Sequence, residues 1–201
     1  MPAMPRPLAP FLAEVRQTFA RRGEDAAAEV VTLLDGLDRS AAAGPVPADQ
    51  PVCTLMPAAL ARATAETADL VACVVDLAPA LAWERAPADE TPAEYYKGHA
   101  YCMIAGDGGF LPSDRFMLGL FLIAPGVFYP NHAHAADEVY YVLGGRAEWQ
   151  IAGGGFEAEG PGGLVAMPSM TPHALRTGAD PVLILWAWYG DLHGSFVYLT
   201  D

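Results

Sequence analysis

Beyond Tyr95 the chain breaks into short runs of Val, Ile, Leu, Phe, Tyr and Trp, each closed by glycines or prolines, and this punctuation constrains the fold more than any other feature. The breaks fall at Gly106-Asp-Gly-Gly109, Gly144-Gly145, Gly153-Gly-Gly155 and Gly160-Pro-Gly-Gly163. Short β-prone runs between residues that admit tight turns point to antiparallel strands. The expected strands are His99–Ile104, Phe116–Ala124, Glu138–Leu143, Ala147–Ile151, Leu164–Met167, Val182–Tyr189 and Ser195–Leu199. They suffice to close a small barrel or jelly roll, and with no internal repeat one barrel is expected.

The preceding residues have another character. From Pro7 to about Trp83 the chain is rich in Ala and Leu, and the spacing predicts helices over Leu8–Arg21 and Glu24–Leu37, one or two more between Ala58 and Trp83, and no strand. Pro-rich stretches at Ala43-Gly-Pro-Val-Pro-Ala-Asp49 and Ala86-Pro-Ala-Asp-Glu-Thr-Pro-Ala93 are expected as surface connections. The expected organisation is mainly β: a helical N-terminal extension over residues 1–90 and a barrel over 91–201. The extension holds no histidine and no carboxylate cluster, so it is expected to supply packing or a homodimer contact rather than chemistry.

Composition narrows the function. A chain of 201 residues can bury about 70% of its unfolded surface in one domain or a barrel with an accessory segment. No apolar run approaches the roughly 18 residues of a membrane helix, and Pro10 and Glu14 interrupt what an export signal would need to keep apolar after Met1-Pro-Ala-Met-Pro-Arg6. Three cysteines, Cys53, Cys73 and Cys102, form no CxxC pair and read as thiols of a reducing cytoplasm. A net charge of −13 without a basic cluster argues against nucleic acid and mildly favours a cationic small molecule.

One segment carries chemistry. Strand side chains alternate, so His132, His134, Glu138 and Tyr140 share a face if the extended run is continuous. Imidazole and carboxylate suit Zn²⁺, Fe²⁺, Mn²⁺ or Ni²⁺, and a further ligand must come from elsewhere, with His173 the obvious donor. The bland alternative places His132 and His134 in a surface loop after Pro130-Asn131, with Glu138 capping a solvated strand. The full spacing is richer than a lone His-x-His: Gly126-x₅-His132-x-His134-x₃-Glu138-x₆-Gly145, then Gly162-x₅-Pro168-x₄-His173. It resembles both motifs of the cupin superfamily, which implies a double-stranded β-helix and one divalent metal on those four side chains. Met170 replaces the usual glycine of the second motif and Thr177 its frequent asparagine, so turn geometry is where the chain departs. His99 and His193 lie outside both motifs and read as ordinary surface or core histidines.

Two phenols border the ligands, Tyr129 three residues before His132 and Tyr140 two after Glu138. Beside a divalent cation Tyr140 would be drawn toward phenolate and become a base for a carbon-bound proton. Tyr129 is expected to hydrogen-bond substrate. The string Tyr-x-x-His-x-His-x₃-Glu-x-Tyr, the distant His173 and the helical extension before a single barrel together resemble the cupin-type dimethylsulfoniopropionate lyases, the DddQ/DddL-like group. The resemblance implies a zwitterionic substrate whose carboxylate meets a Zn²⁺, Fe²⁺ or Mn²⁺ ion, and elimination started by Tyr140 to give acrylate and dimethyl sulfide. Trp186 and Trp188, on one face of an expected strand, are the candidates to hold the sulfonium on their rings. An Fe²⁺ dioxygenase using the same ligands and a non-catalytic small-ligand binder stand as alternatives.

Overall fold

The computed structural model describes residues 5–40 and 44–199; the first four residues of the N-terminal segment, and Ala43 at the head of the first expected connection, lie outside them. Helices α1 (Leu8–Ala20), α2 (Asp25–Asp35), α3 (Met56–Leu60) and α4 (Ala68–Leu77) come first, then α5 (Ala93–Lys97). The strands are β1 (Trp83–Glu84), β2 (His99–Ala105), β3 (Phe116–Ile123), β4 (Phe128–His134), β5 (Ala136–Gly144), β6 (Ala147–Ile151), β7 (Phe156–Glu159), β8 (Leu164–Met167), β9 (His173–Thr177), β10 (Val182–Gly190) and β11 (Phe196–Tyr198). They form a six-stranded sheet, β1-β2-β3-β10-β5-β8, and a five-stranded sheet, β11-β4-β9-β6-β7, with antiparallel pairing throughout. The fold is the mainly β barrel with N-terminal helices that the sequence predicts. Among the described residues no helix is long and apolar enough to cross a membrane.

The larger sheet is buried on both faces, and this explains why β3 and β10 read as unbroken apolar runs. Leu118, Leu120 and Leu122 of β3, Val139, Tyr141 and Leu143 of β5, and Leu183 and Leu185 of β10 pack outward with Leu8, Phe11, Val15 and Phe19 of α1 and Leu70 and Val74 of α4. The alternate residues Phe121, Tyr140, Val142, Ile184 and Trp186 point inward and meet Trp149 and Leu175 of the second sheet. Helices and barrel therefore share one core, and each leucine fully buried there contributes about 2 kcal/mol. Polar ties fix the helical coat: Thr67 Oγ1 donates to the Leu143 carbonyl at 2.8 Å, and Arg22 Nη1 to that of Gly162 at 2.8 Å.

Two local expectations are corrected. The run from His132 to Tyr140 is not one continuous strand: the chain bends at Ala135 and passes from the smaller sheet (β4) into the larger (β5). The corner is tight, with Ala135 N–H donating to the Ser195 carbonyl at 2.9 Å and Gly194 so close that a β carbon there would collide with Ala135. The expected helical extension over residues 1–90 also carries a short strand, since β1 at Trp83–Glu84 adds a two-residue edge to β2.

Candidate metal centre

His132 and His134 come from β4, Glu138 from β5, and His173 from the first position of β9, where it is paired with His132. The convergence that strand alternation suggested is produced instead by two sheets facing each other across the corner at Ala135. Tyr129, of opposite parity to His132, reaches the same interior because the β4–β9 register shifts between Tyr129 and His132. The turn before His173 bends at Met170, whose φ of 56° is the left-handed conformation that the more usual glycine would adopt without strain. Met170 N–H donates to the His134 carbonyl at 2.7 Å and ties that turn to the ligand strand. Thr177 staples the other end, donating to the Ala124 carbonyl at 2.7 Å while its oxygen accepts from Val127 N–H at 2.9 Å.

All four candidate ligands are buried. Each histidine has Nδ1 on a backbone carbonyl two residues away: His132 on Pro130 at 2.8 Å, His134 on Ala136 at 3.0 Å and His173 on Thr171 at 2.8 Å. A carbonyl only accepts, so Nδ1 carries the proton in each ring and the neutral ring presents its lone pair at Nε2. One nitrogen from each of the three rings lies within 4.8 Å of the others, and Nε2 of His173 has no hydrogen-bond partner among the described residues. Glu138 Oε2 joins them, 2.9 Å from His134 Nε2 and 3.3 Å from His173 Nε2. Three buried lone pairs with a carboxylate beside them could hold a divalent transition ion, and the outer nitrogens are anchored as such sites require.

Burial lowers His132 to about 3, so it is a neutral donor across the physiological range. Burial alone would raise Glu138, yet the close approach of His134 and then of His173 outweighs it and holds the carboxylate well below its usual range. Tyr140 faces the opposite pressure: burial first, then the neighbouring Glu138 carboxylate, push its phenol well above the ordinary value. Tyr129 is raised in the same direction by burial, Tyr198 and Glu138.

Glu138, Tyr140 and Tyr129 line one cavity of about 650 Å³. Trp188 forms part of its wall, with its indole 4.3 Å from the His134 ring, and Trp186 meets Trp188 edge-on at 6.0 Å. Trp186 lies across Gly119, where a β carbon would come within 2.7 Å of the indole Nε1, which donates to the Leu120 carbonyl at 3.3 Å. No Lys or Arg of the described residues lines the cavity. His193 is exposed, whereas His99 is fully buried and belongs to the cavity wall, where burial lowers it to about 4. The sequence reading also missed Tyr95, Phe121 and Tyr198 as wall residues, and Ala86, Pro87, Glu90 and Thr91 of the expected surface connection, which line the cavity as well. A signal existed for His99: once β2 is set beside β3, odd-numbered residues of both strands share the inward face.

The family model for dimethylsulfoniopropionate lyase matches residues 26–184. Ninety-two residues are 41% identical to the dimethylsulfoniopropionate lyase DddQ of Ruegeria pomeroyi, covering 46% of this chain and 45% of that protein. A putative dimethylsulfoniopropionate lyase, DddL of Cereibacter sphaeroides, is 33% identical over 113 residues, covering 55% and 46%. The alignments thus span a little under half of these curated relatives. The crystal structure of DddQ from Ruegeria pomeroyi superposes with a TM-score of 0.80 at 30% identity, covering 96% of this chain and 95% of that one.

Proposed function

The chain belongs to the dimethylsulfoniopropionate lyase family, and from that premise we propose that it cleaves dimethylsulfoniopropionate by β-elimination, with Tyr140 as the base. His132, His134, Glu138 and His173 would hold one divalent ion, Zn²⁺, Fe²⁺ or Mn²⁺. That ion would supply positive charge to bind the substrate carboxylate, acidify the adjacent C–H and draw the Tyr140 phenol down toward phenolate. The observation that carries the reading is a cluster of three buried histidines whose Glu138 neighbour and Tyr140 phenol open on one cavity that no Lys or Arg of the described residues lines.

Tyr140 oxygen takes the proton next to the carboxylate, the electron pair forms the carbon–carbon double bond, and the C–S bond breaks with its pair on sulfur. Dimethyl sulfide leaves neutral, so the leaving group needs no acid. Tyr129 orients the substrate by hydrogen bonding. The faces of Trp188 and Trp186 attract the sulfonium, which meets no competing cation in the wall. Cys53, Cys73 and Cys102 are free thiols, in keeping with a reducing cytoplasm.

The test is headspace dimethyl sulfide above metal-loaded protein and dimethylsulfoniopropionate under anaerobic conditions. Release without oxygen supports elimination. Turnover that needs oxygen would instead make the protein a dioxygenase built on the same ligands.

A further inference from the structure

Tyr95 sits in α5, outside both motifs and outside the barrel strands. The helix begins after Pro92 and ends at Gly98, which packs so closely on Val127 that a β carbon there would collide with it. This corner presses α5 against the connection leading into the ligand strand β4. His99 follows at once, and its Nδ1–H is donated to the Tyr95 carbonyl at 2.7 Å.

The rings form a continuous pile. His99 lies on Tyr95 at 4.0 Å and 6°, Tyr95 on Tyr129 at 4.0 Å and 7°, and Tyr129 on His132 at 4.1 Å and 19°. Phe121 closes its side, edge-on to Tyr95 at 6.4 Å and to Tyr129 at 6.1 Å. Tyr129 is thus clamped between a metal-ligand candidate and a ring delivered by another element, with a third aromatic blocking sideways movement. The plane of the Tyr129 ring, and with it the place of its hydroxyl, is set by these neighbours.

We infer that Tyr95 is a positioning residue for the elimination: through ring stacking it fixes the plane in which Tyr129 presents its hydroxyl to the substrate. The inference rests on the lyase reading. Its ring rests on Tyr129, and it makes the short helix between the helical coat and the barrel part of the site's support. A residue that merely filled space would owe nothing to the Tyr129 hydroxyl.

The experiment is a double-mutant cycle in zinc-loaded protein with Tyr95→Leu, Tyr129→Phe and the pair, read as kcat for dimethyl sulfide release, with Tyr95→Phe as the conservative variant and melting temperature and zinc content as controls. Tyr95→Leu removes the ring that rests on Tyr129 and is expected to lower kcat about tenfold with zinc content unchanged, whereas Tyr95→Phe, which keeps the ring pile, should stay within about twofold of the wild type. In the Tyr129→Phe background Tyr95→Leu should cost less than about twofold, because the group it acts through is gone. Losses that multiply, a wild-type rate for Tyr95→Leu, or an equal loss in Tyr95→Phe overturn the inference. If the wild type releases no dimethyl sulfide, the lyase reading falls by itself, and the cycle is repeated on acrylate affinity by calorimetry. There non-additivity supports the positioning of Tyr129 by Tyr95, and additivity overturns it.

Discussion

Nε2 of His134 lies 2.9 Å from Oε2 of Glu138, although the other nitrogen of the same ring is already committed to the Ala136 carbonyl. A neutral ring that donates from Nδ1 has no proton left at Nε2, so two acceptors face each other unless a proton or a cation lies between them. Metal content should therefore approach one divalent ion per chain. His132→Ala, His134→Ala and His173→Ala should each weaken retention at least tenfold, since loss of a mere supporting group around such a site already costs ~10–100-fold. Glu138→Ala should cost activity even where the ion survives with water in its place. Metal analysis after dialysis checks this, and full retention in all three histidine variants would remove the metal centre.

Gly119 sits opposite Trp186 on β10, and a β carbon there would collide with the Cys102 carbonyl oxygen and lie 2.7 Å from the indole nitrogen. Backbone on one side and a ring on the other leave nothing soft to move. Gly119→Ala should destabilise the protein by about 3 kcal/mol, the upper range for overpacking, and lower Tm by about 6–12 °C. Thermal unfolding measures it; an unchanged Tm would mean that Trp186 is free to swing away.

Met170 holds φ at 56° with its side chain about half exposed, so little packing is lost if it is replaced. Met170→Gly removes the steric cost of the left-handed region, partly offset by the greater freedom of glycine in the unfolded chain, for a net gain of up to about 1 kcal/mol. Tm should rise by about 2–4 °C, while Met170→Ala, which keeps a β carbon, should show no gain. Equal melting of both variants would refute the strain.

The alternation and glycine breaks after Tyr95 were enough to specify an antiparallel barrel, because those signals are local. The candidate ligands were legible for another reason: a metal needs several donors at one point, and that demand leaves a fixed spacing. The corner at Ala135 left no such trace, because an alanine serves equally well inside a strand. β7 and β9 were missed because Phe156–Glu159 and His173–Thr177 are short and mix charged or polar residues into the pattern. Tyr95 and His99 escaped because their closeness to Tyr129 is created by the docking of α5, a contact between distant segments that no periodicity encodes.

His99 gives a pH signature separate from the metal. In an unfolded chain it titrates near 6.5, whereas burial lowers it to about 4 in the fold. Above pH 6.5 the ring is neutral in both states and contributes no difference. Between 6.5 and 4 the unfolded chain binds a proton that the fold does not, so stability falls as pH falls, by about 3 kcal/mol across that window. His99→Gln should lose this component. Urea unfolding at pH 7 and pH 4.5 should show a wild-type stability loss exceeding the variant's by about 2–3 kcal/mol, and parallel losses would contradict the assignment.

Tyr140 separates the lyase from its rivals, because only proton abstraction needs the phenol oxygen itself. Tyr140→Phe keeps the ring and its place between Phe121 and Trp149. If the oxygen is the base, the variant should keep fold, metal and KM within a few-fold while kcat falls by roughly 10² or more. The sign of the pH dependence follows from the base being active when deprotonated: the wild-type rate should rise with pH through the phenol's ionisation. Burial and Glu138 push that ionisation up, and a divalent ion held beside it would pull it down. A midpoint below the ordinary ~10 would show that the cation prevails. The rising limb should vanish in Tyr140→Phe. Elimination at a near-wild-type rate by that variant would move the base elsewhere, and Tyr129, in the same cavity and stacked on His132, would be the next oxygen to test.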